Sequence, residues 1–207
     1  ASLGAKVLHP RSVEIAKIHG VKLSVRSSYE TSKEGTFVVN RDQLEKEFVV
    51  TGVACDQKVA KIGIFDLEDK PGSATKVFQA LADANVNVDM IVQSAMRNNM
   101  NDIAFTVPLD EVDNALEVLN DLKNKMSMSD IVSSTNVAKV SIVGAGMVSS
   151  TGVAAKMFSV LAANEINIQM ISTSEIKVSC IIEKENDTPK KAMQALHDAF
   201  ELDKING

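Results

Sequence analysis

The sequence predicts an α/β chain of the α+β sandwich kind, built from two βαββαβ units whose antiparallel sheets carry their helices on one face. Three observations predict it. One stretch occurs twice: KIGIFDLEDKPGSATKVFQALADANVNVDMIVQSAMRNNMNDIAFTV fills residues 61–107, and KVSIVGAGMVSSTGVAAKMFSVLAANEINIQMISTSEIKVSCII fills 139–182. The offset is 78 residues at Lys61 and Lys139, 80 at Val77 and Met157, and 75 at Ile103 and Val178, so the second copy has a shorter turn near its middle. Within each copy the hydrophobic period runs from strand to helix and back to strand. A second amphipathic stretch follows each copy.

Taken in order, the chain opens abruptly, with Leu3, Gly4, Ala5 and Lys6 and no Met ahead of them. A short helix is expected after His9 and Pro10, with Val13, Ile15, Ala16 and Ile18 on its apolar side and Gly20 as its stop. Residues 21–25 alternate like a strand, 27–35 are polar and turn-like, 36–39 give another short strand, and 40–46 form a charged connector. This region is too short and too polar for a core of its own and reads as the end of something larger.

Each copy then begins with an apolar strand and a turn. In the first helix of copy one, Ala74, Val77, Phe78, Leu81 and Ala82 fall at i, i+3, i+4, i+7 and i+8. Ala154, Met157, Phe158, Leu161 and Ala162 repeat that stripe. Val86 to Ile91 and Ile166 to Ile171 alternate β-branched and polar residues, as strands do. Turns are expected at 97–101 and at Ser174 and Glu175. In the second helix of copy one, Asp110 is the expected cap, Asp113 sits near the positive end, and Val112, Ala115, Leu116, Leu119 and Leu122 face inward. In copy two Thr188 is the expected cap and Pro189 the first helical residue, with Ala192, Leu196, Ala199 and Phe200 inward and Met193 beside them.

Counting strands gives residues 48–54 a role. Copy one continues through 126–134, which supplies its fourth strand. Copy two ends with its helix near Leu202, and only five residues remain. The apolar stretch from Phe48 to Ala54 is the spare strand, expected to cross over and complete the second sheet, because an open edge would otherwise remain. The first unit is then inserted within the second.

Composition narrows the function. The 207 residues are 45% hydrophobic with no Trp, so Ala, Val, Ile and Met must fill the core. A formal charge of −5 offers no basic surface for nucleic acid. No run approaches a membrane span, no secretory signal is present, and a cytoplasmic protein is expected. Cys55 and Cys180 are isolated and read as core thiols, so no metal site is expected. His9, His19 and His197 are widely spaced, and His197 reads as a surface residue of a helix. Gly144-Ala145-Gly146 lacks the third glycine of a dinucleotide loop, since position 149 is Ser. Asp66, Glu68 and Asp69 most simply make a solvated turn. No catalytic constellation emerges.

The stronger signal is a pocket for a small ligand at Asp69, Lys70, Pro71, Gly72, Ser73 and Ala74. Pro71 fixes φ, Gly72 lets backbone approach a ligand, and the free N–H groups of the first helical turn favour a carboxylate. Asp69 is placed to hold an ammonium group, so the turn suits the common part of an amino acid. The plainer alternative is that Asp69 only caps the helix, and the residues leave both open. The matching turn in copy two, residues 147–153, has neither Asp nor Pro, so the two turns differ in chemistry.

These residues carry a resemblance. The two units resemble the ferredoxin-like paired ACT domains at the regulatory end of aspartate kinases. The resemblance rests on residues 48–54, the 69–74 turn and 86–91. Val143-Gly144-Ala145-Gly146-Met147 and Ile171-Ser172-Thr173-Ser174-Glu175-Ile176 match more specifically. Residues 3–10 resemble the closing part of the family's amino-acid-kinase domain, and Gly35 and Thr36 its final strand. The implied organisation is a kinase-domain remnant over 1–47, a first ACT domain over 61–135, and a second over 138–202 completed by 48–55. The implied function is feedback inhibition of ATP-dependent aspartate phosphorylation by end products, threonine and/or lysine. ATP and Mg belong to the full kinase, and this chain alone is expected to be non-catalytic with no cofactor. It reads as a small regulatory subunit of an α2β2 enzyme or, slightly favoured by the missing Met and the kinase-like tail, as a processed or engineered fragment.

By that resemblance a first effector site uses Asp69, Lys70, Pro71, Gly72, Ser73, Ala74 and Gln93, with Asn167 and Ile168 from the other unit. A second site uses Met147, Thr151, Gly152, Val153, Ala154, Asn87, Val88 and Asp89, with Ser174 and Glu175 nearby. A tight turn lined by Gly, Ala and Ser favours threonine at the first site, because lysine needs an acid at its far end. The expected partners are the effector, the kinase catalytic domain or subunit, and a second copy in a homodimer through the ACT domains. The alternative is a non-catalytic dimerisation module without effector binding.

Overall fold

The structure, a computed structural model, describes residues 7–30, 32–38, 49–94 and 96–206. The start at 3–6, the connector at 40–46, Val39 and Phe48 lie outside the described residues. The described elements are α1 (Pro10–Ile18), β1 (Leu23–Val25), β2 (Thr36–Val38), β3 (Gly52–Glu68), α2 (Ser73–Asp83), β4 (Ile91–Gln93), β5 (Met100–Pro108), α3 (Val112–Lys123), β6 (Asp130–Val143), α4 (Val153–Ala163), β7 (Ile168–Ser174), β8 (Lys177–Glu183) and α5 (Thr188–Ala199). Short 3-10 turns cover Leu109–Glu111, Ala145–Val148 and Leu202–Asn206. β1 and β2 form their own antiparallel pair.

The other six strands make one sheet in the order β4-β5-β3-β6-β8-β7, antiparallel throughout. Two long strands make it continuous. Gly52 to Asp56 of β3 pairs with Val143 to Lys139 of β6, and Lys61 to Phe65 of β3 pairs with Ser134 to Asp130. Each long strand therefore serves both repeats. Sequence reading expects two four-stranded sheets, coupled by the crossover of 48–54; the structure runs them into one six-stranded sheet because β3 and β6 each continue from one unit into the other. Two register shifts mark the passage, between Asp56 and Val59 and between Val59 and Lys61.

Each repeat packs its helices on its own core. In the first, Ala60, Ile62, Ile64, Ile103, Phe105 and Val107 of the sheet meet Val77 and Leu81 of α2 and Ala115 and Leu119 of α3. In the second, Ala138, Val140, Ile142, Cys180 and Ile182 meet Met157, Leu161, Ala192 and Leu196. Each fully buried Leu or Ile contributes about 1.5–3 kcal/mol. The stripe narrows at its end: Ala82 and Ala162 are exposed, because their i+8 position turns past the sheet. On α1 the expected apolar side is mostly uncovered, with Ala16 buried but Ile15 and Ile18 exposed. Gly20 does take a left-handed φ of 64° after that helix.

Three local expectations are corrected. Residues 86–90 are not strand; only Ile91–Gln93 is. The Thr106 hydroxyl accepts from Met90 N at 3.1 Å, so a side chain replaces a ladder partner there. Asp110 does not cap α3: a 3-10 turn precedes the helix and Glu111 holds the cap position without a side-chain bond. Glu111 instead accepts Asn87 N at 2.6 Å. In α5 the cap is Asp187, with a left-handed φ of 62°, so Thr188 is the first helical residue rather than Pro189.

Candidate functional site

The 69–74 turn closes between the end of β3 and the start of α2. Asp69 N donates to Asn99 O at 2.9 Å, tying the turn to the neighbouring hairpin. Ser73 Oγ donates to Glu68 O at 2.7 Å and Ser73 N to Lys70 O at 3.1 Å, which folds the loop onto itself. Gly72 caps α2 with φ 92°, a conformation that needs glycine, and it supplies no side-chain bond. Lys76 N returns to Gly72 O at 3.0 Å, while Ala74 N and Thr75 N have no acceptor among the described residues. These amides are the orphan donors of a helix start, at the positive end of its dipole.

The Asp69 side chain, in the same turn, is exposed and has no hydrogen-bond or ion-pair partner among the described residues. The capping alternative therefore does not hold in this geometry. Lys70 is paired with Glu68. Gln93 lies toward the same end of the sheet, since it pairs with Ile103 and through it with Ile64.

Asn167 and Ile168 lie elsewhere. The next residue, Gln169, accepts from Lys61 Nζ. From Lys61 to Glu68, where the turn begins, is seven residues of strand with one register shift, or roughly 20 Å at ~3.3 Å per residue. Within one chain the structure thus brings the 69–74 turn and Gln93 to one end, and leaves Asn167 and Ile168 near the seam between units.

The second set divides in the same way. Gly144 N donates to Ile176 O at 3.0 Å, which brings the turn after β6 beside the tip that carries Ser174 and Glu175. Met147 is in the following 3-10 turn, and Ser149 Oγ donates to Gly146 O at 3.3 Å. Gly152 repeats the left-handed cap, with φ 84°, ahead of Val153 and Ala154 in α4; Thr151 is exposed before it. Asn87, Val88 and Asp89 instead sit at the seam, where Asp89 is paired with Lys139. Sequence reading missed both seam lysines. Their equivalence across the repeat was a usable signal, but a lysine opening a strand ordinarily reads as solvated.

Neither thiol is poised as a nucleophile. Burial pushes Cys180 up to about 12, and burial with Asp56 alongside pushes Cys55 up to about 11, against the weaker opposing pull of Lys184. His197 Nδ1 has no hydrogen-bond partner among the described residues and lies 3.5 Å from Asp198 Oδ1. Among the described residues no three His, Cys, Asp or Glu side chains group as a metal set, and no helix is long and apolar enough to cross a membrane.

Family models described as ACT domain match residues 62–125 and 140–200, one on each repeat. The regulatory subunit of aspartate kinase from Thermus thermophilus, solved without ligand, is 43% identical with a TM-score of 0.69; the match covers 73% of this chain and 99% of that one. The chain is the paired-ACT regulatory region of an aspartate kinase. An aspartokinase of Bacillus sp. (strain MGA3) is 46% identical over 202 residues, 98% of this chain and 48% of the relative. The ACT chain thus spans about half the length of the curated relatives it matches. Escherichia coli aspartokinase III, solved in complex with lysine and aspartate, superposes with a TM-score of 0.73 at 25% identity, over 97% of this chain and 43% of that one.

Proposed function

We propose that this region senses end-product amino acids, threonine and/or lysine, and restrains ATP-dependent phosphorylation of aspartate by a kinase catalytic domain or subunit in the cytoplasm. The observation that carries the proposal is the 69–74 turn. Two amides at a helix start and the exposed carboxylate of Asp69 belong to this one turn, and none of the three has a partner among the described residues. A zwitterion offers the matching carboxylate and ammonium. That lysine is bound in the solved E. coli aspartokinase III supports an amino acid as ligand. The Gly, Ser and Ala of the turn favour threonine there.

The separation of the two halves of the site gives the homodimer a purpose. Asn167 and Ile168 are roughly 20 Å from the turn along β3. A second copy related by a twofold axis brings its own Asn167 and Ile168 to the turn. The exposed edge strand β4, with every residue accessible, is available for such pairing.

Calorimetry of the chain with threonine and with lysine tests the reading, and ultracentrifugation with and without ligand tests the dimer. Micromolar to millimolar binding and a dimer are expected. No binding of either amino acid at millimolar concentration, with a dimer indifferent to all twenty, would support a purely structural pairing module instead.

A further inference from the structure

The six-stranded sheet folds back on itself. β4 and β7 stand at opposite ends of its strand order, yet they approach each other. The bend falls where the units meet. β3 carries one extra residue between Asp56 and Val59, and β6 carries one between Ser134 and Val137. Bulges of this kind bend a strand and increase its twist. The face turned away from the helices closes over a cluster drawn from both repeats: Val59 and Met90 from the first, Val137, Met170 and Ile181 from the second.

Two lysines cross this closed side. Lys139, on the first strand of copy two, donates to Asp89 of copy one. Lys61, its repeat mate, donates to Gln169, the repeat mate of Asp89. The contacts are thus related by the internal twofold of the chain. They also bracket the bulges, because Lys139 pairs with Asp56 just before the first and Lys61 follows the second. They differ in strength. The Lys139 side chain is 9% exposed and meets a carboxylate, whereas Lys61 meets a neutral amide at the surface. Charge-assisted bonds are the stronger ones, and a poorly hydrated ammonium that loses its partner is costly.

The geometry points to a pair of latches that set the closing angle between the two ACT units, with Lys139 to Asp89 the dominant one. Asp89 itself belongs to the second effector set, two residues after Asn87, and Gln169 lies two residues after Asn167 of the first. The regulatory meaning of the latch rests on that assignment. A ligand that grips either strand start then biases the angle, and the angle biases the ligand by the same factor.

Amide hydrogen exchange on the full chain decides it. In Lys139→Met, the Asp89 and Met90 amides, which donate to Thr106, should exchange about tenfold faster or more, while amides of α4 and α5 stay as in the parent. Lys61→Met should speed Met170 and Ile171 by about threefold or less. Lys139→Arg should stay near the parent. Unchanged exchange at Asp89 and Met90, or a rise spread through the second unit instead, overturns the latch. Should Lys139→Met not fold, Asp89→Asn answers the same question, since it removes the charge and keeps the shape. Threonine and lysine titrations of the same samples separate the two ideas. A parent that binds neither defeats the effector reading, while the exchange result still decides the latch.

Discussion

Gly144 lies so close to Val49 that a β-carbon on it would stand 2.0 Å from the Val49 carbonyl oxygen and 2.6 Å from Val50 Cα. Its φ of −176° is ordinary extended backbone, so the demand for glycine is one of space alone. Gly72 is the opposite case, with φ 92° and open space around its α-carbon. Gly144→Ala should therefore push the segment before β3 off the second unit and cost about 3 kcal/mol or more. Gly72→Ala should cost about 1 kcal/mol, from backbone strain only. Urea midpoints of the two variants check the order.

Replacing Asp69 separates recognition from stability. Its side chain caps nothing, so Asp69→Ala should leave the unliganded melting temperature unchanged. A charge-assisted bond to a ligand ammonium is worth about 1.5–3 kcal/mol, a loss of about ten- to a hundredfold in threonine affinity. Ser149→Ala, the control at the equivalent position of copy two, should leave that affinity intact. Equal losses in the two variants would remove the primary site from the 69–74 turn. In the full kinase, Asp69→Ala should relieve threonine inhibition with little change in uninhibited turnover.

The two thiols should resist modification in the folded chain. With Cys55 raised to about 11 and Cys180 to about 12, neither forms appreciable thiolate at pH 8. Ellman's reagent should react slowly until denaturant is added. The same shifts set a pH dependence. The unfolded thiols ionise near their ordinary value of 9.0 while the folded ones keep their protons. Stability should be level in this respect below pH 9 and should fall as pH rises through 9 toward 11. Cys180→Ala and Cys55→Ala together should flatten that alkaline fall.

Because β3 and β6 run through both repeats, the units should not melt separately. Leu119→Ala in the first core and Leu196→Ala in the second should each cost about 2–5 kcal/mol and shift one common transition. Calorimetry resolving two transitions, with each substitution moving only one, would refute the shared framework.

Much of this architecture was legible in the residues. The repeat gave the element order, and the i, i+3, i+4, i+7 stripes named Val77, Leu81, Met157 and Leu161 as core. Pairing between residues 91 apart, as Gly52 with Val143, leaves no periodic trace; only the strand missing from copy two pointed to it. The bulges around Val59 were invisible because they answer to tertiary bending rather than to local propensity. The Val86 to Met90 reading failed where the Thr106 hydroxyl entered the ladder, a long-range contact. At the site, the free amides of the helix start followed from the turn residues, whereas the left-handed φ of Gly72 came only with the structure. The distance of Asn167 and Ile168 from that turn did not, because a repeat gives equivalence but no separation.

The threading of β3 bears on how the chain is made. A ribosome releases Gly52 to Asp56 long before Lys139 to Val143 exist. At about 5–20 residues per second, roughly 80 further residues take several seconds to appear. The first unit can assemble its helices and hairpin in that interval, but the leading five residues of the same strand must wait with their backbone groups exposed. Closing so wide a loop is entropically slow and leaves an edge that a neighbouring nascent chain can capture. Asp56 and Lys58 lie on or beside that waiting edge, where charge discourages such capture.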